Sequence, residues 1–195
     1  MSMHSENVET STTSKTFSKP MSALEARFEA QKLAFGPVVF QCVRIAHKWG
    51  VLARIDDSAT GCTIPELARD TDRSEYALSV VLESCLSAGV VSVVEDHYRI
   101  EKIGQVLLHD ALTRVNFDFV QEICYSGLME LETALVEARP AGLKVLGPWD
   151  TIYPGLRELP GEAKRAWFEF DHHYSDSAFA MALPLVFANK PRNLM

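Results

Sequence analysis

The stretch from Thr63 to Ile100 constrains this chain most, because its start and stop signals leave room for one order of elements. Thr63-Ile64-Pro65-Glu66 fits a capping box: the threonine hydroxyl accepts the amide three residues on, and the glutamate accepts the threonine amide. The short helix it opens turns Ile64, Leu67 and Ala68 inward. Asp72-Arg73-Ser74-Glu75 has the D-x-x-E form of a second cap. Behind it, Leu78, Val81, Leu82, Cys85 and Leu86 recur at the spacing of an amphipathic stripe, and Gly89 ends the helix. Val90 to Val94 reads as an apolar strand, Glu95-Asp96 as a turn, and His97 to Ile100 as the returning strand. Helix, turn, helix, hairpin is a winged-helix order.

Upstream, Ser22-Ala23-Leu24-Glu25 is another capping box, and the helix it opens carries Leu24, Phe28 and Leu33. Gly36-Pro37 predicts a break, with Pro37 in the first turn of a second helix, where its missing N–H costs nothing. That helix runs through Val39, Phe40, Val43, Ile45 and Ala46 to Trp49, and Gly50 stops it. The pair has more apolar surface than two short helices hide, so a homodimer built on them is expected. The first twenty residues are rich in Ser and Thr and lack a hydrophobic signal core, which predicts a disordered tail.

Downstream, the pattern predicts a long helix from Asn116 to Ala138, with Val120, Ile123, Cys124, Leu128, Leu131 and Leu135 along one side. Gly127 in its middle costs about 1 kcal/mol relative to alanine, which points to close packing there. Arg139 to Gly161 is dense in Pro and Gly but holds Trp149, Ile152 and Tyr153, so a packed connection is expected. Helix resumes over Glu162 to Tyr174 and again from Ser177 to Phe187, before a polar break at Asn189-Lys190-Pro191-Arg192. The fold class is therefore mainly α: a winged helix with a two-stranded hairpin, flanked by dimerisation helices and a C-terminal helical segment.

Charge and chemistry remove other classes. With 19 Lys and Arg against 26 Asp and Glu, the net charge is −7, which repels phosphate backbones. The alternative of a winged-helix DNA-binding transcription regulator needs a basic recognition helix and wing. Here Arg73 stands among Asp72, Glu75 and Glu83, and the wing tip is Glu95-Asp96. No partner among nucleic acids is expected. A membrane partner is not expected either, since no apolar run approaches the ~20 residues a spanning helix requires.

Cys42, Cys62, Cys85 and Cys124 form no C-x-x-C pair, so reduced structural thiols in a cytoplasmic protein are expected. Asp171-His172-His173 and Asp70-Thr71-Asp72 resemble hydrolase metal strings. Adjacent histidines on a helix point about 100° apart and cannot chelate one ion together, so no metal site is assigned.

The whole series resembles the front half of small-molecule O-methyltransferases of the acetylserotonin and plant-phenol type, which use S-adenosylmethionine (SAM). The resemblance rests on Phe35 to Leu52, Thr63 to Ile100 and Trp149 to Met195, with Ala188 to Met195 like the family's approach to its first sheet strand. Glu101-Lys102-Ile103-Gly104 departs from it, because a helix-capping Thr commonly precedes that glycine in the family. The resemblance implies four parts: a tail over 1–20, dimerisation helices and winged helix over 21–110, a helical substrate-facing and connecting segment over 111–190, and the start of a SAM-binding domain over 191–195.

A small, aromatic acceptor is implied, met by Phe168 and His172, which stand four apart on one helical face, and by Tyr125 and Trp149. No catalytic residue is assigned, because the family's catalytic histidine lies in the domain that would follow. The ten glycines never form a G-x-G, and only glycine lets a backbone approach a nucleotide-type cofactor so closely. No cofactor-binding residue is therefore assigned in this chain, and SAM belongs to the full-length family.

Overall fold

The computed structural model describes residues 21–188. The tail expected over 1–20, the polar break at 189–192 and the strand entry expected over 191–195 lie outside the described residues. The chain divides between Pro37 and Val38 into two units.

The first unit holds the beginning of α1 (Ala23–Lys48). Ser22 caps it as its sequence requires: its amide donates to Glu25 Oε2 at 2.8 Å, and its Oγ accepts the Glu25 amide at 3.2 Å. The predicted break at Gly36-Pro37 is not one, because α1 passes through Pro37 unbroken. A proline inside a helix costs about 3 kcal/mol. The run of strong helix formers before it, Ala30 to Ala34, favours continuation of the helix up to that point.

In the second unit, α1 ends beside Gly50, whose φ of 73° turns the chain into α2 (Val51–Asp56). Gly61 then has to be glycine on two counts. Its φ is +88°, and a β-carbon there would fall 2.5 Å from the Tyr98 carbonyl oxygen. This close approach lets Cys62 exchange both backbone hydrogen bonds with Tyr98, at 3.0 and 2.8 Å. α3 (Ile64–Thr71) opens on the Thr63–Glu66 capping box as expected. α4 (Glu75–Ser87) does not open on Asp72; Ser74 caps it, accepting the Ala77 amide at 3.2 Å. Asp72 instead closes α3 in the left-handed conformation, with φ at 54°, a role open to aspartate because its short side chain tolerates it.

Strands β1 (Val91–Val94) and β2 (His97–Ile100) pair antiparallel, Val91 opposite Ile100 and Val94 opposite His97. Both turn residues, Glu95 and Asp96, have positive φ, as a two-residue hairpin turn of the right twist requires. Leu52, Ile55, Leu67, Leu78, Leu82, Val90 and Val91 are fully enclosed in one core with Val43 and Ala46 of α1. Each such side chain contributes roughly 1.5–3 kcal/mol by leaving water. Leu86, expected on this stripe, is exposed at the last turn of α4. The fold is mainly helical with one two-stranded hairpin among the described residues.

α5 (Lys102–His109) starts on Glu101 without a side-chain cap. Asp110 caps α6 (Ala111–Phe119), accepting the Thr113 amide at 2.7 Å. The single helix expected from Asn116 to Ala138 is a succession: α6, a π turn over Val120–Cys124, a 3-10 turn over Tyr125–Glu130, and α7 (Leu131–Glu137). The reason lies at Gly127, where the backbone of Gly142 packs directly on it. A regular helix would turn other side chains into that contact, and the changes of winding re-aim the chain. After a 3-10 turn at Ala141–Val145 and the short α8 (Ile152–Gly155), the two predicted C-terminal helices are one, α9 (Gly161–Ala188), running through Pro184.

Candidate functional site

α9 meets α6 and the π turn through its aromatic residues. Phe170 stacks on Phe119 with ring centroids 3.9 Å apart, and Trp167 lies 5.9 Å from the same ring. Arg165 ties the same elements together, donating to Asp118 at 3.1 Å, Glu162 at 3.1 Å and Glu169 at 2.8 Å. The bond to Glu162, helped by the other two carboxylates, holds its guanidinium above the usual arginine range. Tyr174 adds a hydrogen bond to Asn116 at 3.1 Å.

This arrangement fixes which face of α9 is left over. Residues four apart share a face, and Phe168 and His172 are brought together with ring centroids 6.4 Å apart. Phe168 is 41% exposed, and the His172 side chain 65%. His172 also lies 3.4 Å from the Asp176 carboxylate. The pair presents an apolar ring beside an imidazole that can donate or accept, enough to seat a planar group and orient one polar atom on it.

The other two candidate residues are held elsewhere. Tyr125 stacks on Phe40, centroids 5.4 Å apart, and Phe40 stacks in turn on Phe117. Trp149 is half-buried in the connection, where β-carbons on Gly147 and Gly155 would fall 2.4 and 2.2 Å from its indole. Both glycines are bare because the indole occupies their side-chain space.

A concavity of about 430 Å³ lies nearby, lined mainly by Ile123, Leu128, Leu131, Leu143, Tyr153 and Trp167, with Cys124 and Thr151 also on its wall. Tyr153 and Trp167 meet edge to face, 6.3 Å apart. Sequence reasoning missed it because its lining is drawn from separate turns and helices. Its one signal was Gly127, which lines the concavity and also carries the backbone contact.

Asp70, from one of the two metal-like strings, is held in ion pairs. Asp70 is bound by Arg54 at 2.8 Å and Arg69 at 3.2 Å, and the Arg54 hydrogen bond holds its carboxyl below the usual range. Among the described residues no three His, Cys, Asp or Glu side chains converge as a metal ligand set. No helix among them is long and apolar enough to cross a membrane. The sequence holds no G-x-G turn of the kind that cradles SAM, and among the described residues the sheet is an antiparallel pair of strands.

With this geometry the chain falls among helical domains that carry a small hairpin, and comparison narrows that class. Residues 27–98 match the family model of the Dimerisation2-like domain. Among solved structures, the chain is similar to the S-adenosylmethionine-dependent methyltransferase SibL in its apo form, with 21% identity, 80% of this chain and 46% of that one covered, and a TM-score of 0.64. CalO1, a methyltransferase in calicheamicin biosynthesis solved with SAH bound, gives 22% identity, 81% and 47% coverage, and a TM-score of 0.59. LepI in complex with SAM gives 14%, 77% and 40%, with a TM-score of 0.63. At these identities the likeness is one of fold. The chain spans less than half the length of these structures. No curated protein matches it. The resemblance read from element order, to the dimerisation region of SAM-dependent methyltransferases, is borne out by the domain match and the shared fold.

Proposed function

We propose that this chain is the dimerising and acceptor-facing part of a SAM-dependent O-methyltransferase, acting in the cytoplasm as a homodimer on a small, aromatic acceptor. The observation that carries the reading is the Dimerisation2-like match over residues 27–98, joined to a fold shared across 80% of the chain with a SAM-dependent methyltransferase. The helix–helix–hairpin unit serves here as a winged-helix scaffold without a phosphate-binding surface. Glu75, Glu83, Glu95 and Asp96 are exposed on α4 and the hairpin tip, where they repel a nucleic-acid backbone. Residues 111–190 form the acceptor-facing segment. Phe168 supplies a flat apolar contact, and the His172 imidazole orients the acceptor hydroxyl. The transfer step is not assigned to any residue of this chain.

The test uses protein expressed from the complete coding sequence. Phe168→Ala and His172→Ala are each expected to weaken acceptor binding about tenfold or more. SAM affinity should stay at the parent value and the melting temperature close to it, because Phe168 is partly exposed and its loss opens no enclosed cavity. The 195-residue chain alone is expected to give no heat of binding with SAM. A large fall in melting temperature with unchanged acceptor affinity would remove both residues from the site. Tight DNA binding that weakens steeply with salt would replace the enzyme reading with a regulator.

A further inference from the structure

A smaller cavity, about 70 Å³, opens between α1, α5 and α6, and none of the acceptor-face residues lines it. Its apolar lining is Val43, Leu107 and Phe117. Its polar lining is Arg44, His47, Arg114 and Asp118. Helical spacing explains the convergence: Arg44 and His47 are three apart on α1, and Arg114 and Asp118 four apart on α6. Three basic side chains thus meet in a chain whose net charge is −7.

The one carboxylate there, Asp118, is already engaged by Arg165 at 3.1 Å. Arg44 gives one terminal nitrogen to Glu122 at 2.5 Å, but its Nε is enclosed and meets no hydrogen-bond acceptor of the chain. An enclosed guanidinium N–H is a strong donor, and guanidinium and carboxylate are matched in shape and charge.

We propose that this cavity is a binding site for a small organic anion, a carboxylate on a short apolar stem. The charge comes chiefly from Arg114, with Arg44, already paired with Glu122, and His47 as further donors. The stem is accommodated by Val43, Leu107 and the Phe117 ring, which offer nothing to an inorganic phosphate. The volume admits a few carbons and excludes a nucleotide or a peptide. The site does not depend on the methyl-transfer reading, and either stands without the other.

Nuclear magnetic resonance of the 195-residue chain tests it, with the Arg44 Nε–H signal as the local reporter. Titration with sodium butyrate is expected to shift that signal saturably, with a Kd on the order of 1–10 mM. Butyramide, neutral and of the same shape, should leave it in place, and inorganic phosphate should bind about tenfold more weakly. Arg44→Gln also breaks the Glu122 pair, so Arg114→Gln and His47→Gln carry the mutational test. Arg114→Gln should weaken butyrate binding about tenfold, with the melting temperature and helical spectrum retained. An equal response to butyramide, no saturable shift, or parental affinity in Arg114→Gln would overturn the site. Phosphate binding tighter than butyrate would overturn the organic-anion assignment.

Discussion

Gly142→Ala is expected to destabilise the chain by about 2–3 kcal/mol, while Gly127→Ala at the facing position changes stability by less than about 1 kcal/mol. The two glycines pack backbone to backbone, but not symmetrically. A β-carbon on Gly142 would fall 2.4 Å from the Gly127 carbonyl oxygen and 3.0 Å from its carbonyl carbon. Those atoms belong to a turn whose course is set on both sides, so the new methyl forces a backbone shift. A β-carbon on Gly127 would meet the Gly142 oxygen at 3.0 Å, a contact that a few tenths of an ångström relieve. Alanine also recovers up to about 1 kcal/mol of helical preference there. Urea unfolding of both variants checks the pair, read as a change in midpoint at constant slope. Equal losses would mean that the two sites tolerate a methyl alike and that the close approach does not govern this turn.

That contact also shows where the sequence stops being legible. The elements around the core were readable because each is specified locally: the Thr63–Glu66 box, the Leu78–Cys85 stripe and the Glu95-Asp96 turn each state their own structure within a few residues. The winding of 120–137 is specified by Gly142, beyond the end of that segment, so a one-dimensional pattern returned a plain helix. Gly36-Pro37 misled for a related reason. A break signal states a local cost, and whether α1 continues depends on what the rest of the helix contributes. At the acceptor face, the four-residue spacing of Phe168 and His172 was legible from helical geometry, and the packing of Trp167 and Phe170 on Phe119 leaves that face outward. The distribution of Tyr125 and Trp149 to other partners was not, because Phe40 is remote from Tyr125 in sequence and the Trp149 indole reaches Gly147 and Gly155 only once the connection has folded back on itself. The basic cavity was invisible for the same reason: Arg44 and Arg114 converge only once α1 and α6 are placed.

The chain is expected to sediment as a dimer at micromolar concentration, and the double variant Phe28→Glu, Leu33→Glu as a monomer. Among the apolar residues of α1 on which the dimer was expected, the structure separates two kinds. Val43 is enclosed in the core and Phe40 is stacked on Phe117 and Tyr125, so both are committed within their own chain. Leu24, Phe28 and Leu33 are 75%, 58% and 83% exposed along the first turns of α1. Side chains of that size left in water forfeit roughly 1.5–3 kcal/mol each, which association recovers. At an interface a truncated apolar anchor typically costs 2 kcal/mol or more. Two glutamates also add charges that burial would strip of water, so the dimer should weaken by at least about a thousandfold. Because both positions are exposed in the single chain, the variant should keep its helical spectrum and its melting transition at dilution, where the parent is also monomeric. Sedimentation velocity across a concentration series reads the outcome. A parent chain that stays monomeric at micromolar concentration, or a double variant that still dimerises, would place the self-association surface somewhere other than the N-terminal turns of α1.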